Sequence, residues 1–222
     1  AIEVGLINAK VNRHQISKIP ASDGGDGFLS FVSHFKELSI RNLSSVDAIR
    51  MPISSYYLTE FSAKTAYLEL ANTVGLSHLR TPNFSQASTY GLGLQMIDAL
   101  TLGYKKFFIG LGGSASNDMG LGMLEAMGVQ FYNSNDKILH IRTAVLNDIH
   151  HYIIPDALLQ MLEGVSFFAV NDVSNPLVGP NGAAFVYGAQ KGASQRDVEQ
   201  LDASVQSLIH RLNFPFTTNV QE

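Results

Sequence analysis

Apolar positions recur along this chain in two periods. Phe28, Phe31, Val32 and Phe35 stand at i, i+3, i+4 and i+7, which predicts a helix with one face on a core. From Arg41 to Leu70 the pattern is extended, and Ala66, Leu68 and Leu70 alternate with Thr65, Tyr67 and Glu69 as in a half-buried strand. Leu92, Met96, Ala99 and Leu100 predict a second helix that stops near Gly103. KKFFIG and VSFFAV (Val165 to Val170) are short apolar runs suited to buried parallel strands. The first leads through GLGGSASND into a helix striped by Met119, Met123, Leu124 and Met127. A final helix carries Val198, Leu201, Val205, Leu208, Ile209 and Leu212, with Ser194 and Asp197 spaced to cap its start.

Strands alternating with helices argue for an α/β fold, and the extended block from Arg41 to Leu70 adds a mixed or antiparallel part. There is no internal repeat and no low-complexity linker. With 45% hydrophobic and 15% charged residues among 222, the chain buries a real core. A net charge of −4 gives no basic footprint for a phosphate backbone, so small ligands replace nucleic acid as the expected partners. The absence of cysteine excludes disulfides and thiolate metal sites. No run approaches the ~18 apolar residues of a membrane span, and a soluble, cytoplasmic protein is the expectation. AIEVGLINAK reads as a helix entered partway, and FPFTTNVQE supplies no closing element, so a piece of a longer protein is expected. The seven histidines show no zinc-ligand spacing, and His150 and His151 would point opposite ways on a strand.

Four loops carry candidate chemistry. In GLGGSASND, Gly110, Gly112 and Gly113 allow close approach of a ligand, and the next helix offers free N–H groups to an anion. The loop lacks the GK[ST] ending of a Walker motif but fits the looser GxGxxA dinucleotide pattern. Asn117 and Asp118 speak against a bare pyrophosphate and for magnesium with a nucleotide triphosphate, although either residue also serves as an ordinary helix cap. SDGGDG sets Asp23 and Asp26 around two glycines at a strand-to-helix turn. Its carboxylates suit Mg²⁺ or a hydroxylated substrate, and an Asp-rich turn with a cap is the plain alternative. NDVSNPLVGPNG offers Asp172, Asn175 and Asn181 without a nucleophile and equally suits a structural loop. Lys191, in AQKGA, can meet a phosphate or carboxylate, or simply face solvent. Periodicity alone turns Glu69 toward solvent.

In this order, SDGGDG, LELANTVGL, STYGLG, GLGGSASNDMGLGML, NDVSNPLVGPNGAA and YGAQKGAS resemble the glycerate kinase family, from the first ten residues to about Asp202. The resemblance implies a two-lobed α/β architecture, with residues 1–40 part of a Rossmann-like lobe and 41–222 the remaining body including a mixed-sheet lobe. It also implies ATP with Mg²⁺ and D-glycerate as acceptor, 2-phosphoglycerate being favoured over 3-phosphoglycerate. Oligomeric state stays open, a homodimer included. Carried over by position, Asp23 and Asp26 fall in the family's acidic glycine turn and Glu69 in its Glu-Met-Ala-like segment. Gly112, Gly113, Ser114, Asn117 and Asp118 fall in its glycine loop, and Asp172, Asn175 and Lys191 in its later segments. The family's opening strand with Asp-Ser-Phe-Lys-Gly and its late Thr-Gly-Glu-Gly-Arg segment are absent from this sequence. Asn171 stands where the family often has Cys, and Ser174 where it often has Asp.

Phosphoryl transfer needs a phosphate cradle, a magnesium site and a group that orients the attacking hydroxyl. The expectation assigns Gly110 to Ser114 to the nucleotide phosphates, Asp118 or Asp172 to Mg²⁺, and Asp23 or Asp26 to orienting or deprotonating glycerate. Glu69 and Asn175 are assigned to substrate, and Asn117 and Lys191 to the nucleotide. Two rivals are an NAD-binding oxidoreductase built on GLGGSA and a remnant that binds ligand without turnover.

Overall fold

The computed structural model describes residues 2–212; the FPFTTNVQE segment lies outside the described residues. The chain opens with helix α1 (Ile2–Asn8), which buries none of its side chains. Then come α2 (Phe28–Phe35), β1 (Ser39–Val46), β2 (Pro52–Glu60), β3 (Thr65–Glu69), α3 (Leu70–Val74), α4 (Tyr90–Thr101), β4 (Lys106–Gly110) and α5 (Leu121–Ala126). They are followed by β5 (Gln130–Tyr132), β6 (Ile138–Leu139), β7 (His151–Ile153), α6 (Asp156–Leu162), β8 (Ser166–Val170), α7 (Ala183–Tyr187) and α8 (Gln195–Leu212). The fold class is α/β, as the alternation of periods implies.

One sheet organises the molecule, with strand order β1-β2-β3-β4-β8. β1, β2 and β3 form an antiparallel meander, whereas β3, β4 and β8 run parallel. Parallel neighbours need crossovers, and α3 with α4 supplies the one between β3 and β4. A small antiparallel sheet, β6-β5-β7, lies apart from it in the pairing.

The strand predicted as half-buried is buried at every position, Thr65 through Glu69. Its alternation divides two cores rather than core from solvent. Ala66 and Leu68 enter the main cluster with Leu92, Met96 and Ala99 of α4. Tyr67, one residue on, joins Phe28, Leu29 and Val32 of α2 together with Leu58. Helix α2 therefore covers the face that periodicity assigned to water, and that face includes Glu69. On α2 itself, Phe35 departs from the expected stripe and is exposed.

β8 departs in the opposite direction. Its sequence suits a buried strand, yet it is the last strand in the sheet order, and Phe167 and Phe168 are each 45% exposed. Phe168 stacks on Phe108 of β4, at 4.7 Å between ring centroids. The SDGGDG turn is followed by α2 as expected, but no strand is assigned before it among the described residues. Helix α8 begins as predicted: Asp197 accepts from the Ser194 amide, and the Ser194 hydroxyl accepts from the Asp197 amide. Among the described residues no helix is long and apolar enough to cross a membrane.

Candidate active site

The three parallel strands end level with one another, Glu69 beside Gly110 and Gly110 beside Val170. Above this crest, the glycine turn 110–114 packs against the turn 22–27. The Gly112 amide donates to the Gly24 carbonyl (3.0 Å), and the Leu111 amide donates to the Val170 carbonyl (3.0 Å). A Cβ at Gly112 would stand 2.5 Å from the Gly25 Cα, and one at Gly24, where φ is +87°, would stand 2.1 Å from the Val170 carbonyl oxygen. Two glycine segments thus pack backbone to backbone, a contact that any side chain at these positions would break.

This contact presents the acidic turn. Asp23 and Asp26 are both exposed. Asp23 Oδ1 accepts from the Gly25 amide (2.8 Å), closing the turn and leaving the second oxygen available. Asp26 faces the glycine turn: its Oδ1 would lie 3.3 Å from a Cβ at Gly113. Asp172, exposed just after β8, has no hydrogen bond or ion pair among the described residues.

Glu69 is 7% exposed and serves α2. Its two carboxylate oxygens accept from the amides of Gly27 (3.1 Å) and Leu29 (2.9 Å), satisfying donors that a helix start leaves unpaired. α2 begins at a left-handed glycine with no capping side chain of its own, so a carboxylate 40 residues away closes it.

Asp118 anchors the far side of the glycine turn. At 1% exposure it accepts from Thr89 N (2.7 Å), Thr89 Oγ1 (2.9 Å), Gly122 N (3.2 Å) and Gly120 N (3.3 Å). Burial holds its pKa above the ordinary carboxylate value, and these four hydrogen bonds offset only part of that rise. The Met123 amide donates to Thr89 Oγ1 (2.8 Å). The first amides of α5 are therefore spent inside the protein, and the expected helix-start anion site is already filled by Asp118 and Thr89. Asp118 stands two residues before the N-cap of α5, which is Gly120.

Lys191 is buried beneath the same loop. Its Nζ donates to the Ser116 carbonyl (2.6 Å) and to Asn117 Oδ1 (3.0 Å). Burial lowers its pKa to about 8, against an opposing pull from Asp118. Asn117 Nδ2 is buried and has no partner among the described residues. Ser114 Oγ accepts from the Ser116 amide (3.2 Å) and holds the turn's second half. Ser114, Asn117 and Asp118 line a cavity of about 360 Å³, with Leu177 and Ala183 from the later loop and α7, and Asp202 from α8.

Asn175 lies on the exposed loop after β8 and is bonded within that segment: Nδ2 donates to the Asn181 carbonyl (3.0 Å), and Oδ1 accepts from the Tyr187 hydroxyl (2.6 Å). The structure thus forms two groups. Asp23, Asp26, Glu69, Gly112 and Gly113 meet at the crest, while Ser114, Asn117 and Asp118 line the cavity and Lys191 ties their loop through Ser116 and Asn117; Asp172 and Asn175 stand on the loop leaving β8.

Two residues escaped the sequence reading. Thr89 bonds both Asp118 and α5, and its signal was a Ser-Thr pair directly before an apolar helix. Asp202, 7% exposed, accepts from the Gly179 amide (2.8 Å) and so ties the later loop to α8. A carboxylate at i+4 from Val198, within the apolar stripe, was the mark of a buried acid.

Magnesium in phosphoryl-transfer sites takes one or two carboxylates and completes its shell with phosphate oxygens and water. Among the described residues no three acidic or imidazole side chains form a cage. The exposed, lightly bonded carboxylates of the crest suit a metal carried by phosphates, whereas Asp118 has its oxygens engaged by four donors.

The whole chain, residues 1–222, matches the glycerate kinase family. It is 34% identical over 217 residues to a glycerate kinase of Bacillus cereus, covering 96% of this chain and 56% of that protein. It is 30% identical over 206 residues to glycerate 2-kinase of Escherichia coli, covering 91% and 53%. A crystal structure from Salmonella typhimurium LT2, described as a glycerate kinase 2, superposes with a TM-score of 0.80 at 28% identity, covering 87% of this chain and 52% of that one. The chain spans about half the length of the curated relatives it matches. It belongs to the glycerate kinase family.

Proposed function

We propose that this chain carries the acceptor-activating part of a kinase that transfers the γ-phosphoryl group of ATP to D-glycerate, giving 2-phosphoglycerate and ADP. The observation that carries the reading is the acidic turn locked by glycine contacts against the turn 110–114 at the ends of three parallel strands. Crevices at the carboxyl ends of parallel strands are where α/β sheets bind ligands. Asp23 or Asp26 orients the glycerate hydroxyl and accepts its proton, and the amides of Gly113 and Ser114, set in place by the Gly112 contact, face the phosphates. Asp172, with one of the turn's carboxylates, would hold Mg²⁺, which would supply charge neutralisation for the transferring phosphoryl group.

Glu69 and Asn117 act through what they hold, Glu69 fixing α2 beneath the acidic turn and Asn117 with Lys191 fixing the loop that reaches the nucleotide. Asn175 sets the later loop against substrate. The two-lobed division, with residues 1–40 in one lobe and 41–222 in the remaining body, belongs to this proposal, as does action in the cytoplasm.

Thermal unfolding with Mg-ATP, D-glycerate or NAD in separate samples tests the ligand class. A ligand at 100 times its dissociation constant adds about 2.7 kcal/mol. Stabilisation by Mg-ATP or D-glycerate is expected; stabilisation by NAD alone contradicts the kinase reading. Phosphorus NMR of the product from the full-length enzyme separates 2- from 3-phosphoglycerate.

A further inference from the structure

A separate cavity, of about 270 Å³, is lined by Ile49, Arg50, Gln86, His140, Ile141 and Arg142. None of these residues takes part in the proposed reaction. Its walls are firmly held. The Arg50 guanidinium pairs with Glu125, donates through Nη2 to the Ile141 carbonyl (3.0 Å) and lies 4.2 Å from the Tyr90 ring centroid. His140 Nδ1 lies 3.0 Å from Glu125 Oε1, and Glu125 Oε2 accepts from the Ile141 amide (2.8 Å). The Thr143 amide donates to the Ala87 carbonyl (3.0 Å), which pins the segment after Arg142 against the one after Gln86. Arg50 occupies a left-handed backbone conformation, with φ +64°, unusual for a residue with a side chain.

Arg142 is the exception. Its side chain makes no ion pair or hydrogen bond among the described residues, and its Nε is buried without a partner there. Glu125 is already engaged by Arg50, His140 and the Ile141 amide. One guanidinium in this cavity is thus left without a counter-charge, and a guanidinium fork matches a carboxylate in two parallel hydrogen bonds.

We propose that this cavity is a binding site for a small monoanionic carboxylate, held by Arg142 and flanked by Gln86 and His140. A single unpaired guanidinium favours one charge over the two of a phosphate.

The test is an NMR titration of the intact protein with acetate, inorganic phosphate or chloride at matched ionic strength, following the Arg142 Nε–H resonance and the Ile141 and Thr143 amides. The expected result is a saturable shift with acetate that chloride does not reproduce. In Arg142→Lys, which keeps the charge and removes the fork, acetate affinity read from the two amides should fall at least fivefold; Gln86→Ala should weaken it less. The proposal is overturned if acetate and chloride act alike, if only phosphate saturates, or if Arg142→Lys binds acetate as well as the parent.

Discussion

Asp23 and Asp26 lie within one short turn and are exposed, each with oxygen left over; Asp118 and Glu69 are nearly inaccessible and have their oxygens filled by backbone and hydroxyl donors. All four carboxylates lie close to the same glycine turn. A side chain that already accepts two to four hydrogen bonds inside the protein has little capacity for a substrate proton or a metal, whereas one held by a single turn bond is positioned and still available. The buried pair builds the platform, and the exposed pair is the group it presents.

That contrast can be broken at several strengths. Asp118→Ala strands the amides of Thr89, Gly120 and Gly122, and at about 1–3 kcal/mol per buried orphaned group the loss should exceed about 3 kcal/mol, read as a lower denaturation midpoint. Glu69→Gln keeps one acceptor but sets an amide nitrogen against an N–H donor of α2, so a smaller loss of about 1–2 kcal/mol is expected in the same measurement.

Lys191 should give an effect of another kind, visible as a pH dependence. Its pKa is lowered from 10.5 to about 8, so between those values the unfolded chain binds the proton more readily than the folded one. Its contribution therefore penalises folding fully below about pH 8 and is relieved as pH rises toward 10.5. The stability difference between the parent and Lys191→Met should shift in the parent's favour across that window; a difference flat with pH would mean that burial leaves the lysine's titration unchanged.

Much of the fold was legible because its signals are local. Helix α8 announced its stripe and its cap within 19 residues, and the run KKFFIG with its glycine loop announced the strand and turn of the site. What the sequence hid depended on which element covers which face. Glu69 alternates with Leu68 and Leu70 like a solvent-facing residue, and only the packing of α2 on β3 buries it. Phe167 and Phe168 look like the centre of a sheet, and only strand order places them at its edge. At the site, the glycines invited a phosphate reading, but Gly24, Gly110 and Gly112 are required first by the contact between two turns. Lys191 showed only as a cation between glycines; its burial comes from residues 74 and 75 positions earlier.

The central claim is that the exposed acids perform the chemistry on a platform held by the buried ones. Its most direct test is turnover by the full-length enzyme carrying Asp23→Asn or Asp26→Asn, alongside the melting temperature of each. Asparagine keeps the shape and one acceptor oxygen, while a lost general base costs ~10²–10⁴ in rate. The account predicts that at least one variant loses a hundredfold or more in kcat with an unchanged melting temperature. Parental kcat in both would contradict it.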